Sequence, residues 1–248
     1  MRRIRIILSY DGTAYHGWQV QPELATIQGT LEGALAEIEA APVKVEGSGR
    51  TDAGVHALGQ VAAFSIGNPI PVENLRKALN RLLPRDIRIL EASEAAPDFH
   101  PRFDAKKKTY EYRILREEIC APFLRQYVYH HPYVLDETAM INLAPLLEGD
   151  HDFTAFAASD EKDELGHSKV RRIFSSTLHR EDELLIYRVT GSGFLKHMVR
   201  NIVGVLIEAG KRNLSEEGLR ARLQPDCVIP SGPAVPARGL FLVSVDYQ

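Results

Sequence analysis

Between residues 47 and 57 the chain reads Gly-Ser-Gly-Arg-Thr-Asp-Ala-Gly-Val-His-Ala, which sets one carboxylate, Asp52, among three glycines and an arginine. Gly47, Gly49 and Gly54 permit backbone angles closed to other residues, so a loop here can turn sharply and let a large substrate approach the main chain. Arg50 stands two residues from Asp52; a guanidinium that near favours the ionised carboxylate and offers donors to a phosphate or a base. An aspartate in a loop can equally bond its own backbone in an Asx turn, and spacing does not choose between the two.

Other chemistries fail on spacing. Gly49 and Gly54 are separated as in a phosphate-binding loop, but Val55 and His56 stand where the lysine and the serine or threonine are needed. The dinucleotide fingerprint fails because Gly47-Ser48-Gly49 runs on to Asp52. No metal site is expected, since the nine histidines show no ligand spacing. His56 reads as a packing or loop residue. Cys120 and Cys227 lie far apart with no C-x-x-C pair, which suits a reducing cytosol, and they read as small core residues.

These side chains need elements to hold them. Ile4, Ile6, Leu8 and Tyr10 alternate with Arg3, Arg5, Ile7 and Ser9, the period of a half-buried strand ended by Asp11-Gly12. Ile27, Leu31, Leu35 and Ile38 form one apolar stripe and predict a helix from about Thr26 to Ala40. Short strands at Val43 to Glu46 and Val61 to Ile66 bracket the Asp52 loop, placing it at a sheet edge or end. A helix over Val72 to Leu83, stopped by Pro84, and a strand over Ile87 to Glu91 complete a β-α-β-β-α-β half.

After a connection at Glu94 to Asp104 the pattern restarts. Strands are expected at Lys107 to Leu115, Val170 to His179, Leu184 to Thr190 and Leu240 to Tyr247, with Arg180 to Glu183 as a polar turn. Helices are expected at Glu137 to Leu147, Leu195 to Ala209 and Glu216 to Leu223. In the helix after Gly193 the apolar stripe leaves Lys196 and Arg200, four apart, on another face, either an ordinary solvated face or a binding one. Ser159 to Ser168 reads as an acidic solvated loop. The division is 1–103 and 104–248.

At 248 residues with 44% hydrophobic content, the chain is long enough for a real core. A formal net charge of −3 argues against a generally basic nucleic-acid coat, but local patches decide that question. Pro101 to Arg113 carries five cations against two anions, and Leu195 to Arg212 four cations against Glu208. Such patches suit phosphate. The N-terminal run after Arg2-Arg3 reads as a strand rather than a signal peptide, and no apolar stretch approaches a membrane span.

The motifs, taken together, are specific. Gly49-Arg50-Thr51-Asp52-Ala53-Gly54-Val55-His56-Ala57 is followed by Phe99-His100-Pro101-Arg102-Phe103-Asp104-Ala105 and by Lys108-Thr109-Tyr110-Glu111-Tyr112. Phe194 to Gly204 and Pro236-Ala237-Arg238-Gly239-Leu240 come next, with Tyr10-Asp11-Gly12, Gly17-Trp18-Gln19 and Ile27-Gln28-Gly29 upstream. In this order the blocks resemble the TruA family of tRNA pseudouridine synthases over essentially the whole chain.

The resemblance implies an α+β fold of two diverged RRM-like halves sharing a mixed, mainly antiparallel central sheet flanked by helices. It implies conversion of uridine to pseudouridine at positions 38, 39 and 40 in the anticodon stem-loop of tRNA, by a cytoplasmic homodimer with no cofactor. Asp52 is then the catalytic residue, Tyr110 the ring that stacks on an extruded uracil, Arg200 the ion-pair partner of the aspartate, and Arg50 an aid to nucleotide flipping. For Tyr110 the ordinary alternative is a core or cross-strand aromatic. A non-catalytic RNA binder is disfavoured, because the glycine and aromatic pattern of an RNA-recognition strand is absent.

Overall fold

The alternation of Ile4, Ile6, Leu8 and Tyr10 becomes β1 (Arg2–Tyr10), with all four side chains buried. The computed structural model describes residues 1–158, 168–225, 227, 229 and 232–248. Their contacts divide the chain into two units, Met1–Lys106 with Phe241–Gln248, and Lys107–Leu240.

In the first unit, α1 (Ile27–Glu39) is capped by Thr26, whose hydroxyl accepts the Gly29 N–H, and stops at left-handed Ala40. β2 (Glu46–Gly47) is two residues long, shorter and later than the expected Val43 to Glu46. β3 (His56–Ile66) begins five residues earlier than its apolar core suggests. α2 (Val72–Leu82) and β4 (Ile87–Glu94) follow. β1 lies between β4 and β3, antiparallel to both, and β10 (Leu240–Asp246) runs parallel to β3 on its other side. The Asp52 loop therefore enters the N-terminal end of an interior strand. Sequence position assigns 241–248 to the second half; the pairing of Phe241 with His56 takes these residues into the first unit.

The second unit is built on β5 (Lys107–Leu115), β9 (Leu184–Gly191), β8 (Val170–Glu181) and β7 (Gly149–Asp152), antiparallel in that order, with β6 (Tyr129–His130) parallel to β5. The β8–β9 turn tightens to Asp182 and Glu183, with Asp182 at φ 50°. The helix expected over Glu137 to Leu147 is α3 (Glu137–Leu143), giving way to a 3-10 turn at Ala144–Leu147. Pro145 explains the break, because it has no N–H for the helical ladder. α4 (Met198–Gly210) and α5 (Glu216–Arg222) complete the unit. Sheets that are mainly antiparallel with helices packed on them make this an α+β fold.

Two further expectations change. Cys120 and Cys227 are free and half-buried rather than core residues. The acidic loop lies, at 159–167, outside the described residues.

Candidate active site

Between β2 and β3 the backbone has no helix or strand to satisfy it, so neighbouring groups do so. Ser48 N–H donates to the Val61 carbonyl at 2.8 Å, and Trp18 N–H donates to the Thr51 carbonyl at 3.0 Å. Asp52 to Val55 is a tight turn closed by Val55 N–H on the Asp52 carbonyl at 3.1 Å, with Gly54 at φ +77°. A positive φ at the third position is the type II pattern, which favours glycine. Gly17, at φ +88°, lies so close that a Cβ there would stand 2.5 Å from the Thr51 carbonyl oxygen. The loop of residues 11–18 and the Asp52 loop are thus interlocked.

Beneath the loop lies a polar layer. Tyr10 Oη and Thr51 Oγ1 are 2.8 Å apart in the interior, and burial pushes the Tyr10 phenol up to about 12, so it stays a neutral hydroxyl. Gln60, fully buried, accepts the Ser48 hydroxyl at 2.6 Å and donates to the Gly49 carbonyl at 3.1 Å. His56 is buried as expected of a packing residue; its ring stacks on Phe241 at 4.8 Å and its Nδ1 accepts the Gly12 N–H at 3.2 Å. Held this way, Thr51 and Val55 point inward, Asp52 is half-buried, and Arg50 is exposed.

In the second unit, Tyr110 on β5 is 8% exposed and meets Phe194 edge to face at 5.0 Å. Its neighbour Tyr112 donates to the Pro236 carbonyl at 2.7 Å, and burial raises its pKa against the lowering pull of Arg200 and Arg238. Arg200 lies in the first turn of α4, where its Nε donates to the Val235 carbonyl at 2.8 Å. In a helix buried on nearly every side, only Arg200 and Glu208 reach the surface region. The expected shared face of Lys196 and Arg200 is corrected: His197 takes φ 60°, so α4 starts at Met198 and Lys196 precedes it.

The basic patches are also redrawn. Lys211 pairs with Glu208 at 2.9 Å and Arg212 with Asp136 at 3.4 Å, at the far end of a helix about 20 Å long. They form no patch with Arg200. On β5, Glu111 is buried between Arg113 and Arg188, at 2.8 and 2.6 Å. Among the described residues no cluster of His, Cys, Asp or Glu could hold a metal ion, and no helix is long and apolar enough to cross a membrane.

A family model described as tRNA pseudouridine synthase matches residues 6–104 and 143–248. The chain belongs to the tRNA pseudouridine synthase family. It is 66% identical over 248 residues to tRNA pseudouridine synthase A of Solibacter usitatus, covering 100% of both chains. Identity is 47% to the enzyme of the same name from Citrifermentans bemidjiense, covering 100% of this chain and 98% of that one. With the Anoxybacillus flavithermus enzyme it is 45%, covering 100% of both. Among solved structures, 83% of this chain aligns with 43% of a chain in the archaeal box H/ACA sRNP Nop10-Cbf5 complex, at 10% identity and TM-score 0.34, a likeness too distant to carry an argument.

As a member of this family the protein is an isomerase of tRNA uridines. The family model spans Arg50, Asp52 and Arg200, whereas Tyr110 falls in its gap and is covered by the full-length relatives. Gln60 and Tyr10, whose hydrogen bonds hold the Asp52 loop from beneath, carry no motif that assigns them to the site. The one available signal was a glutamine inside the apolar run Val55 to Phe64.

Proposed function

We propose that the chain converts uridine to pseudouridine at positions 38, 39 and 40 of the tRNA anticodon stem-loop, with Asp52 as its catalytic group. The observation that carries this reading is the Asp52 loop itself, a carboxylate left half-exposed on a backbone pinned at Ser48, Thr51 and Val55. Isomerisation breaks the C1′–N1 bond, turns the uracil and joins C5 to C1′, with C5 losing its proton and N1 gaining one; substrate and product are isomers, so the balance needs no redox partner or group donor. A carboxylate can begin the reaction by attacking C1′ or by removing a ribose proton. Both require it ionised.

Arg200 serves as the ion-pair partner that keeps Asp52 charged and oriented. C1′ of a stacked nucleotide is out of reach, so the nucleotide is flipped, with Arg50 aiding extrusion from its exposed position and Tyr110 stacking on the freed uracil. Base stacking of this kind is worth ~1–3 kcal/mol, enough to offset part of the unstacking. The protein acts in the cytoplasm, where its substrate is found, as a homodimer; sedimentation as a monomer alone would remove the last point.

The test is to incubate unmodified tRNA with purified protein, without nucleotide or metal, and map pseudouridine by derivatisation. Modification is expected at the three positions. Asp52→Asn is expected to bind tRNA and form no product, a loss of at least ~10³-fold. Product from that variant at the normal rate overturns the role of Asp52, and product only elsewhere in the tRNA overturns the stem-loop assignment.

A further inference from the structure

Gln60 is fully buried, in a strand whose neighbours Val61, Ala62, Ala63 and Phe64 are buried and apolar. A primary amide has two donors and two acceptor sites, and leaving them unmet in the interior is costly. Here all four are used. Oε1 accepts the Ser48 hydroxyl at 2.6 Å and the Val61 N–H at 3.2 Å. Nε2 donates to the Gly49 carbonyl at 3.1 Å and to the Tyr10 hydroxyl. The Tyr10 hydroxyl is in turn hydrogen-bonded to Thr51 Oγ1, 2.8 Å away. One amide thereby reaches Ser48, Gly49 and, through Tyr10, Thr51, three of the four residues that lead into Asp52.

We propose that Gln60 is a positioning residue for Asp52, fixing the loop backbone from beneath through Ser48, Gly49 and the Tyr10–Thr51 hydrogen bond. The inference rests on the reading of Asp52 as the catalytic group. Gln60 does not meet substrate; its side chain sets where the carboxylate stands. Misplacement of a reacting group by about 1 Å can cost 10²-fold in rate, with little effect on binding made elsewhere. A residue that served only to fill the core would change stability and leave the chemical step alone.

The experiment compares single-turnover rate at saturating tRNA with tRNA affinity, at a temperature where circular dichroism shows each variant folded. Gln60→Leu is expected to lose about 10–100-fold in rate while its Kd for tRNA stays within about threefold. Tyr10→Phe, which removes only one oxygen, is expected to lose about 3–10-fold, and it carries the test if Gln60→Leu does not fold. Gln60→Glu supplies a readout that packing would not move. Measured against the unaltered protein at each pH, its rate is expected to recover as pH falls. A protonated carboxyl restores a donor, whereas an ionised one faces the Gly49 carbonyl. Unaltered rates in Gln60→Leu and Tyr10→Phe overturn the proposal. If Asp52→Asn is inactive in the same assay, that result leaves the role of Asp52 standing; an active Asp52→Asn removes that reading first.

Discussion

Eight residues, 48–55, run between β2 and β3 with their backbone groups met by Tyr15, Trp18, Gln60 and Val61, whereas Arg200 rides on a helix that satisfies its own backbone. The first arrangement depends on small polar contacts and on glycines where no side chain fits. The second depends on Met198, Val199, Ile202, Val203 and Leu206, all buried, which fix how α4 sits while Arg200 itself is outside the packing. A loop must be held residue by residue, while a helix is held as a body. Substitutions in the two regions should therefore separate rate from stability in different ways.

After the loss of Asp52 itself, the largest expected effect is on the helix side. Arg200→Met keeps the apolar stem and removes the charge assigned to pairing with Asp52, so the single-turnover rate should fall about 10²-fold. Stability should drop by only about 1 kcal/mol for the lost bond to the Val235 carbonyl, a shift of about 2–4 °C at this chain length. An unchanged rate would take Arg200 out of the site. On the loop side, rate and stability should fall together. Gly17→Ala forces a side chain into the left-handed region and against the Thr51 carbonyl, at about 1–3 kcal/mol, and should slow turnover about tenfold by moving Thr51. Gly33→Ala is the control: it lies on α1 with open space around it and should stabilise by up to about 1 kcal/mol. Equal effects from the two glycines, read by thermal denaturation, would break the contrast between the regions.

The same contrast explains what could be read before the fold was known. Period-two and helical patterns delivered β1, α1 and β5, because burial of one face is written locally in residues such as Ile4, Ile6, Leu8 and Lys107 to Leu115. Asp52, Tyr110 and Arg200 stood out by motif. Their supports did not. Gln60 gains its meaning from partners at 10, 48 and 49, which meet it only once β1 pairs with β3 and the loop folds over them. The late start of α4 depends on a left-handed histidine, which no periodicity signals. Short strands such as β6 and β7 are set by pairing with β5 and β8 rather than by their own sequence.

Glu111 offers the finest test, because it lies beside Tyr110 yet belongs to the structural half of the comparison. Burial raises its pKa, but hydrogen bonds from Arg188 and Arg113 outweigh that and leave it below the usual carboxylate range. A depressed folded-state pKa means that the stabilisation is complete above the unfolded value of 4.5 and is lost as pH falls toward the folded one. Glu111→Gln should therefore cost about 1 kcal/mol at neutral pH, modest because both arginines keep contact with water. The stability gap between the two proteins in urea titrations should hold from pH 7 to about 5 and close below 4.5. The single-turnover rate at pH 7 should change less than twofold, since the ion pairs of Glu111 are with Arg113 and Arg188, neither of which carries a role in the reaction. A large fall in rate with the fold intact would move Glu111 from the scaffold of β5 into the functional set and weaken the division drawn between the two regions.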